Sequence, residues 1–148
     1  MKLLSLATLR KILSWCNVIN SPDPSHQNIV LDTPNIDHYD FVMKMGIVIY
    51  SNDPETVWNV FRLGNFALKE GDEVKVFLLA KGVECESLDT DQFEVTEQIR
   101  SFVDHGGKIL ACGTCLKIRG SEGSEMCPLS TMKDLYEIVK ECDRVVTF

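Results

Sequence analysis

The chain has 148 residues, 45% of them hydrophobic and 25% charged, and a formal net charge of −7. That length suits one domain with a sizeable core. The acidic balance argues against nucleic acid or an anionic membrane as the main ligand, and no apolar run is long enough for stable membrane insertion.

Residues 1–42 read as an N-terminal extension. The opening "MKLLSLATLRKILSWC" begins like an export signal, but Arg10 and Lys11 interrupt the apolar stretch and no small-x-small cleavage site follows closely. Leu6, Leu9, Leu13 and Cys16 share one helical face, so the spacing predicts a short amphipathic helix that docks. Proline, aspartate, asparagine and serine crowd residues 17–42, which predicts an irregular linker.

From Met43 onward strand and helix signals alternate. Lys44 to Tyr50 is a nearly continuous apolar run, as in a central parallel strand buried on both faces. Asp53 and Pro54 fit the N-cap and first position of a helix. Val57, Val60, Phe61, Gly64 and Leu68 then lie on one face, and Gly71 stops it. Trp58 and Phe61 read as core rather than a ligand platform. Glu73 to Ala80 is a second strand, followed by a loop over residues 81–90. Asp91 with Glu94 resembles a capping box for a second helix whose apolar face is Val95, Ile99, Phe102 and Val103. His105 with Gly106-Gly107 closes that helix. Lys108 to Cys112 is a third strand. Thr131 with Asp134 opens a further helix carrying Met132, Leu135, Val139 and Cys142, and "RVVTF" is a last strand. This alternation predicts an α/β sandwich with a parallel sheet and helices on both faces. Ligands of such sheets bind beyond the carboxyl ends of the strands.

The third strand runs out into "CGTCLKIRG", which places Cys112 and Cys115 at that edge, spaced C-x-x-C. The thiolate is the reactive form of cysteine. If a short helix starts after the strand, Cys112 lies near its positive end, and Lys117 and Arg119 add positive charge nearby in sequence. Both effects favour a thiolate at Cys112, which could then attack a sulfane sulfur. Cys115, three residues on, is placed to resolve the product or to form a disulfide. Cysteine also serves commonly as a small buried hydrophobe. The spacing alone does not separate redox exchange, sulfur transfer and metal binding.

The other cysteines are Cys16, Cys85, Cys127 and Cys142. Cys85 follows the second strand and so shares the rim, but Glu84 and Glu86 beside it disfavour a thiolate. Cys127 precedes Pro128 in a loop and is also within reach of the rim. Cys85 and Cys127 are secondary candidates. Cys142 ends a helix and reads as packing. Structural zinc requires four ligands; there is no second C-x-x-C, and His26, His38 and His105 lie outside ligand spacing. His105 is placed to bond the last carbonyls of its helix. "GSEG" at 120–123 lacks a P-loop lysine, no G-x-G-x-x-G occurs, and no cofactor is expected. Six cysteines in a chain of this length without a clear export signal suggest reduced thiols and a cytoplasmic location.

Three stretches in this order carry a resemblance: "MGIVIYSNDPETVWNVFRLGNFALKEGDEVKVFLLAKGVE", "GGKILACGTCLKIRG" and the closing "ECDRVVTF". Residues 43–148 resemble the DsrE/DsrF-like family, which includes sulfur-relay proteins. The resemblance implies a flavodoxin-like three-layer sandwich with a mainly parallel sheet, assembled as trimers, hexamers or heteromers. It further implies cytoplasmic sulfur trafficking between donor and acceptor proteins. Counting back from Arg119-Gly120, it implies that Cys112 is the position that carries persulfide sulfur. Cys115 departs from the sulfur-relay pattern, which leaves a thiol-disulfide role open, as well as a non-enzymatic interaction module with structural cysteines. Residues 1–42 lie outside the family pattern, either as a genuine extension or through a start placed upstream of Met43 or Met45.

Overall fold

The computed structural model describes residues 42–148. The expected helix at Leu6–Cys16 and the linker after it lie outside the described residues, as do Cys16, His26 and His38.

Five parallel strands form one sheet in the order β4-β3-β2-β1-β5. They are β1 (Lys44–Ile49), β2 (Glu73–Leu78), β3 (Lys108–Cys112), β4 (Leu129–Ser130) and β5 (Arg144–Thr147). Between them run α1 (Pro54–Lys69), a 3-10 helix (Ala80–Ser87), α2 (Val95–Asp104), α3 (Gly113–Ile118) and α4 (Met132–Glu141). The strand-helix alternation and the parallel sheet are as the sequence predicts.

Local chemistry explains most boundaries. Asp53 caps α1 by accepting from the Thr56 N–H at 2.8 Å, and Pro54 supplies a preset φ. Thr131 and Asp134 form the reciprocal capping box of α4. The expected box at Asp91 and Glu94 does not form. Glu94 is itself the N-cap of α2 and makes no side-chain cap bond, while Asp89 accepts from the Thr96 N–H at 2.7 Å instead. The helix therefore begins at Val95. At its far end His105 Nδ1 donates to the Ser101 carbonyl, and Gly106 turns the chain at φ +88. β2 is two residues shorter than its apolar run. The Leu79 N–H bonds Ile49 O at 2.8 Å, and Ala80 then turns into the left-handed region at φ +49. Residues 81–87, read as loop, coil together with Ala80 into the 3-10 helix.

The two faces of the sheet are covered unequally. Side chains alternate along a strand, so Gly46 and Ile47 point to opposite faces. A Cβ on Gly64 of α1 would lie 3.7 Å from Ile47 and 2.8 Å from Phe102 of α2. A Cβ on Gly46 would instead lie 2.6 Å from Ile138 of α4. Helices α1 and α2 thus share one face and α4 takes the other, giving three layers. On the first face Ile47, Ile49, Val76, Leu78, Phe61, Ile99 and Phe102 are fully buried, and Phe61 meets Phe102 edge-on at 5.6 Å. Each such side chain contributes about 1.5–3 kcal/mol through burial. Trp58 is half-buried, stacked near Phe93 and under the Arg62 guanidinium.

Helix α4 covers less than its pattern suggests. Ile138 is its one buried residue, whereas Met132, Tyr136 and Val139 are exposed. Met132 and Val139 thus form an outward apolar stripe with Tyr136. Val103 of α2 is likewise exposed, at the margin of its helix.

Candidate functional site

Cys112 is the last residue of β3 and the N-cap of α3. Its φ of −58 and ψ of 110 turn the strand directly into the helix, with no intervening loop. This matches the expected short helix after the strand. Register pairs Cys112 with Ser130 of β4, so both sit at the carboxyl edge of the sheet. Ser130 Oγ donates to the Ala111 carbonyl at 3.0 Å, which fixes β4 against β3.

A cleft of about 290 Å³ opens here, lined by Cys112, Gly113, Thr114, Lys117, Leu129, Ser130, Thr131 and Met132. Cys112 is only 3% exposed. Cys112 is thus part of the cleft wall rather than a protruding group. Leu129 and Met132 are exposed at the mouth, and Lys117 supplies the cation.

Cys115, one turn into α3, is half-buried. Its Sγ accepts from the Ala80 N–H at 3.2 Å, the amide that the left-handed turn at Ala80 presents. Burial pushes the Cys115 thiol above the ordinary range, and the neighbouring Cys112 thiol pushes it further; the Ala80 amide and Arg119 oppose this. At neutral pH Cys115 is therefore a thiol.

The two basic residues divide. Lys117 lines the Cys112 cleft, as its candidacy requires. Arg119 does not: its Nε donates to Glu84 and its Nη1 to the Cys115 carbonyl. Glu84 is held below the usual carboxylate range by Arg119 first and then by Asn52, whose amide donates to it at 2.9 Å. Arg119 is thus a tie between α3 and the 3-10 helix. The acids flanking Cys85 likewise face partners, since Glu86 accepts from Ser124 Oγ at 2.8 Å.

Cys85 and Cys127 do not reach the cleft lining. They meet each other instead, with their Sγ atoms 3.9 Å apart and both residues buried. Pairing across 42 residues leaves no trace in spacing, and the sequence offered no signal for it beyond the shared rim. Cys142 caps the end of α4 and packs against Gly46, and burial pushes its thiol up. Among the described residues no three His, Cys, Asp or Glu side chains converge to hold a metal ion, and no helix is long and apolar enough to cross a membrane.

Two archaeal proteins are similar to this chain. One, an uncharacterized protein of Methanocaldococcus jannaschii, is 36% identical over 100 residues, covering 64% of this chain and 88% of the relative. The other, an uncharacterized protein of Methanopyrus kandleri, is 36% identical over 110 residues, covering 68% and 91%. Among solved structures, a conserved protein of unknown function from Bacteroides thetaiotaomicron superposes with a TM-score of 0.59 at 18% identity, covering 71% of this chain and 94% of that one. That likeness speaks to the fold, which is the flavodoxin-like sandwich expected. Residues 43–148, the same span that carries the sequence resemblance, match the DsrE/DsrF-like family, and the chain belongs to that family.

Proposed function

We propose that the protein is a cytoplasmic sulfur carrier that accepts sulfane sulfur on Cys112 and passes it to a partner protein. One observation carries the reading: Cys112 ends β3 at the carboxyl edge of the sheet and walls a cleft that also holds Lys117. Membership of a family that includes sulfur-relay proteins agrees with it. In the step proposed, the Cys112 thiolate attacks the outer sulfur of a donor persulfide, R–S–SH. The donor S–S bond breaks, R–S⁻ leaves and takes a proton, and Cys112 holds the persulfide. An acceptor thiolate then takes the outer sulfur and Cys112 returns to its starting state. Lys117 offsets the negative charge of the persulfide, which is ionised more readily than a thiol.

The carrier needs partners, and the exposed Leu129 and Met132 at the mouth, with Tyr136 and Val139 along α4, supply an apolar surface for them. Such a surface suits a homo-oligomer, trimer or hexamer, or a family heteromer. Residues 1–42 form an extension to this sulfur-handling domain of residues 43–148.

Mass spectrometry after incubation with a persulfide donor tests the reading. The parent protein gains one sulfur atom and Cys112→Ser gains none. Equal uptake by the variant would sink the proposal. A second reading rests on the placement of Cys112 at the N-cap of α3 and Cys115 one turn into it, close enough that the Cys112 thiol opposes ionisation of Cys115. There the two act as a thiol-disulfide pair, and peptide mapping of the oxidised protein finds a Cys112–Cys115 bond.

A further inference from the structure

Two thiols that neither reading uses face each other inside the domain. Cys85 sits on the 3-10 helix and Cys127 at the end of the loop over residues 121–127, with Sγ atoms 3.9 Å apart. They are 0% and 1% exposed. Both could be inert packing, since cysteine is a good small hydrophobe. The surroundings argue for more. The loop already lies along the helix, because Ser124 Oγ donates to Glu86 at 2.8 Å and accepts from the Cys127 N–H at 2.9 Å. The Ser124 N–H closes the turn onto the Cys127 carbonyl at 3.2 Å. Glu86, one residue beyond Cys85, and Ser124, three before Cys127, thus align the two sulfurs from both sides. One partner is in a fixed helix and the other in a loop that leads through Pro128 into β4. A disulfide needs the sulfurs to close to about 2.0 Å, a movement that a loop accommodates and a pair of packed strands does not.

We propose that Cys85 and Cys127 are a disulfide-forming pair, oxidised by a low-molecular-weight disulfide, that fastens the 121–127 loop to the 3-10 helix. Neither thiol meets solvent in the closed form, and the Cys85 thiol beside it, together with burial, pushes Cys127 well above the ordinary thiol range. Oxidation therefore begins from the open loop, where Cys127 is hydrated. The Cys127 thiolate, its proton lost to water, attacks one sulfur of R–S–S–R. The S–S bond breaks, R–S⁻ leaves and is protonated, and a mixed disulfide remains on Cys127. As the loop closes, Cys85 loses its proton and attacks the Cys127 sulfur, expelling the second R–S⁻, which is protonated in turn. Two cysteines lose two electrons and two protons, and R–S–S–R becomes two R–SH. The same burial that slows entry also shields the finished bond from reductant, so the oxidised form is long-lived once made.

The test uses the full chain, equilibrated with oxidised glutathione and then quenched with an alkylating agent in denaturant. Peptide mapping is expected to join the Cys85 peptide to the Cys127 peptide with loss of two hydrogens. Deuterium uptake over residues 121–127 is expected to slow on oxidation. A Cys112→Ser/Cys115→Ser double variant keeps the bond, which separates it from the chemistry at the cleft, and Cys127→Ala loses it. Should Cys127→Ala fail to fold, the double variant carries the test alone. Recovery of Cys85 and Cys127 as free thiols after prolonged exposure, or joined only to other cysteines, overturns the proposal, as does a bond that leaves the loop's deuterium uptake unchanged.

Discussion

Among the described residues lie two cysteine pairs, and burial alone does not tell Cys112 of one from Cys127 of the other. Cys112 is 3% exposed and Cys127 1%. Their neighbours separate them. Cys112 stands at a strand end with a cleft, Lys117 and the half-buried Cys115 around it. Cys85 and Cys127 are packed against each other and into the core, and the nearby acids Glu84 and Glu86 are engaged by Arg119 and Ser124. What a thiol borders thus bears on the chemistry open to it, whereas solvent exposure describes only how often a reagent arrives.

The sharpest way to break this contrast is to exchange the roles. Cys112→Ser is expected to abolish sulfur uptake, while Cys85→Ala leaves uptake intact in whatever fraction folds; intact-mass measurement of both variants decides it. Next in size is Gly82→Ala. A Cβ there would lie 2.1 Å from Ile49 O, so the 3-10 helix must lift, at about 3 kcal/mol. That helix carries both Cys85 and the Ala80 amide on Cys115, so faster alkylation of both regions should accompany the lower urea midpoint. A midpoint unchanged from the parent would show that the close approach is not a constraint.

Smaller again is a serine scan. Cys85→Ser puts an unpartnered hydroxyl into the core and should cost about 2 kcal/mol. Cys115→Ser should cost less than about 1 kcal/mol, because a hydroxyl can accept from the Ala80 N–H as the sulfur does. Equal costs would erase the distinction between a packed pair and a rim pair. The smallest effect concerns the tie between the two regions. Glu84 has its folded pKa held below the ordinary value of 4.5, chiefly by Arg119. Its contribution is therefore fully present above that value and lost as pH falls through the lowered one. The Tm gap between the parent and Glu84→Gln should be open at pH 7 and narrow as pH falls below 4.5 and through the lowered folded value; a gap that stays constant with pH would remove the carboxylate from the account.

The features that local chemistry determines were legible in the sequence. Asp53-Pro54 and Thr131 with Asp134 cap their helices as read, and β3 runs from Lys108 to Cys112 as read. Features that depend on distant partners were not. β4 has two residues, too few for any periodicity to register. At the start of α2 the acceptor is Asp89, seven residues before Thr96 and so outside the spacing of a capping box. Of the apolar positions of α4 only Ile138 is fully buried, while Leu135 and Cys142 pack partly buried against the core. At the site, Cys112 ends β3 where the pattern placed it, but the directions of the two basic residues were not readable: Lys117 lines the cleft, and Arg119 bonds Glu84, 35 residues away.

The brevity of β4 has one more consequence. It pairs with β3 only at Ala111 and Cys112, so among the described residues the outer edge of β3 from Lys108 to Leu110 has no strand partner. Such edges invite polymerisation by strand addition. Here Lys108 begins the open stretch, and Pro128, which has no amide hydrogen to donate, leads into β4 and gives its carbonyl to the Ala111 N–H. A charge and an imino acid thus make this corner a poor template for growing a ribbon. A visiting protein at the cleft would be recognised by side chains, and could leave without unzipping a sheet.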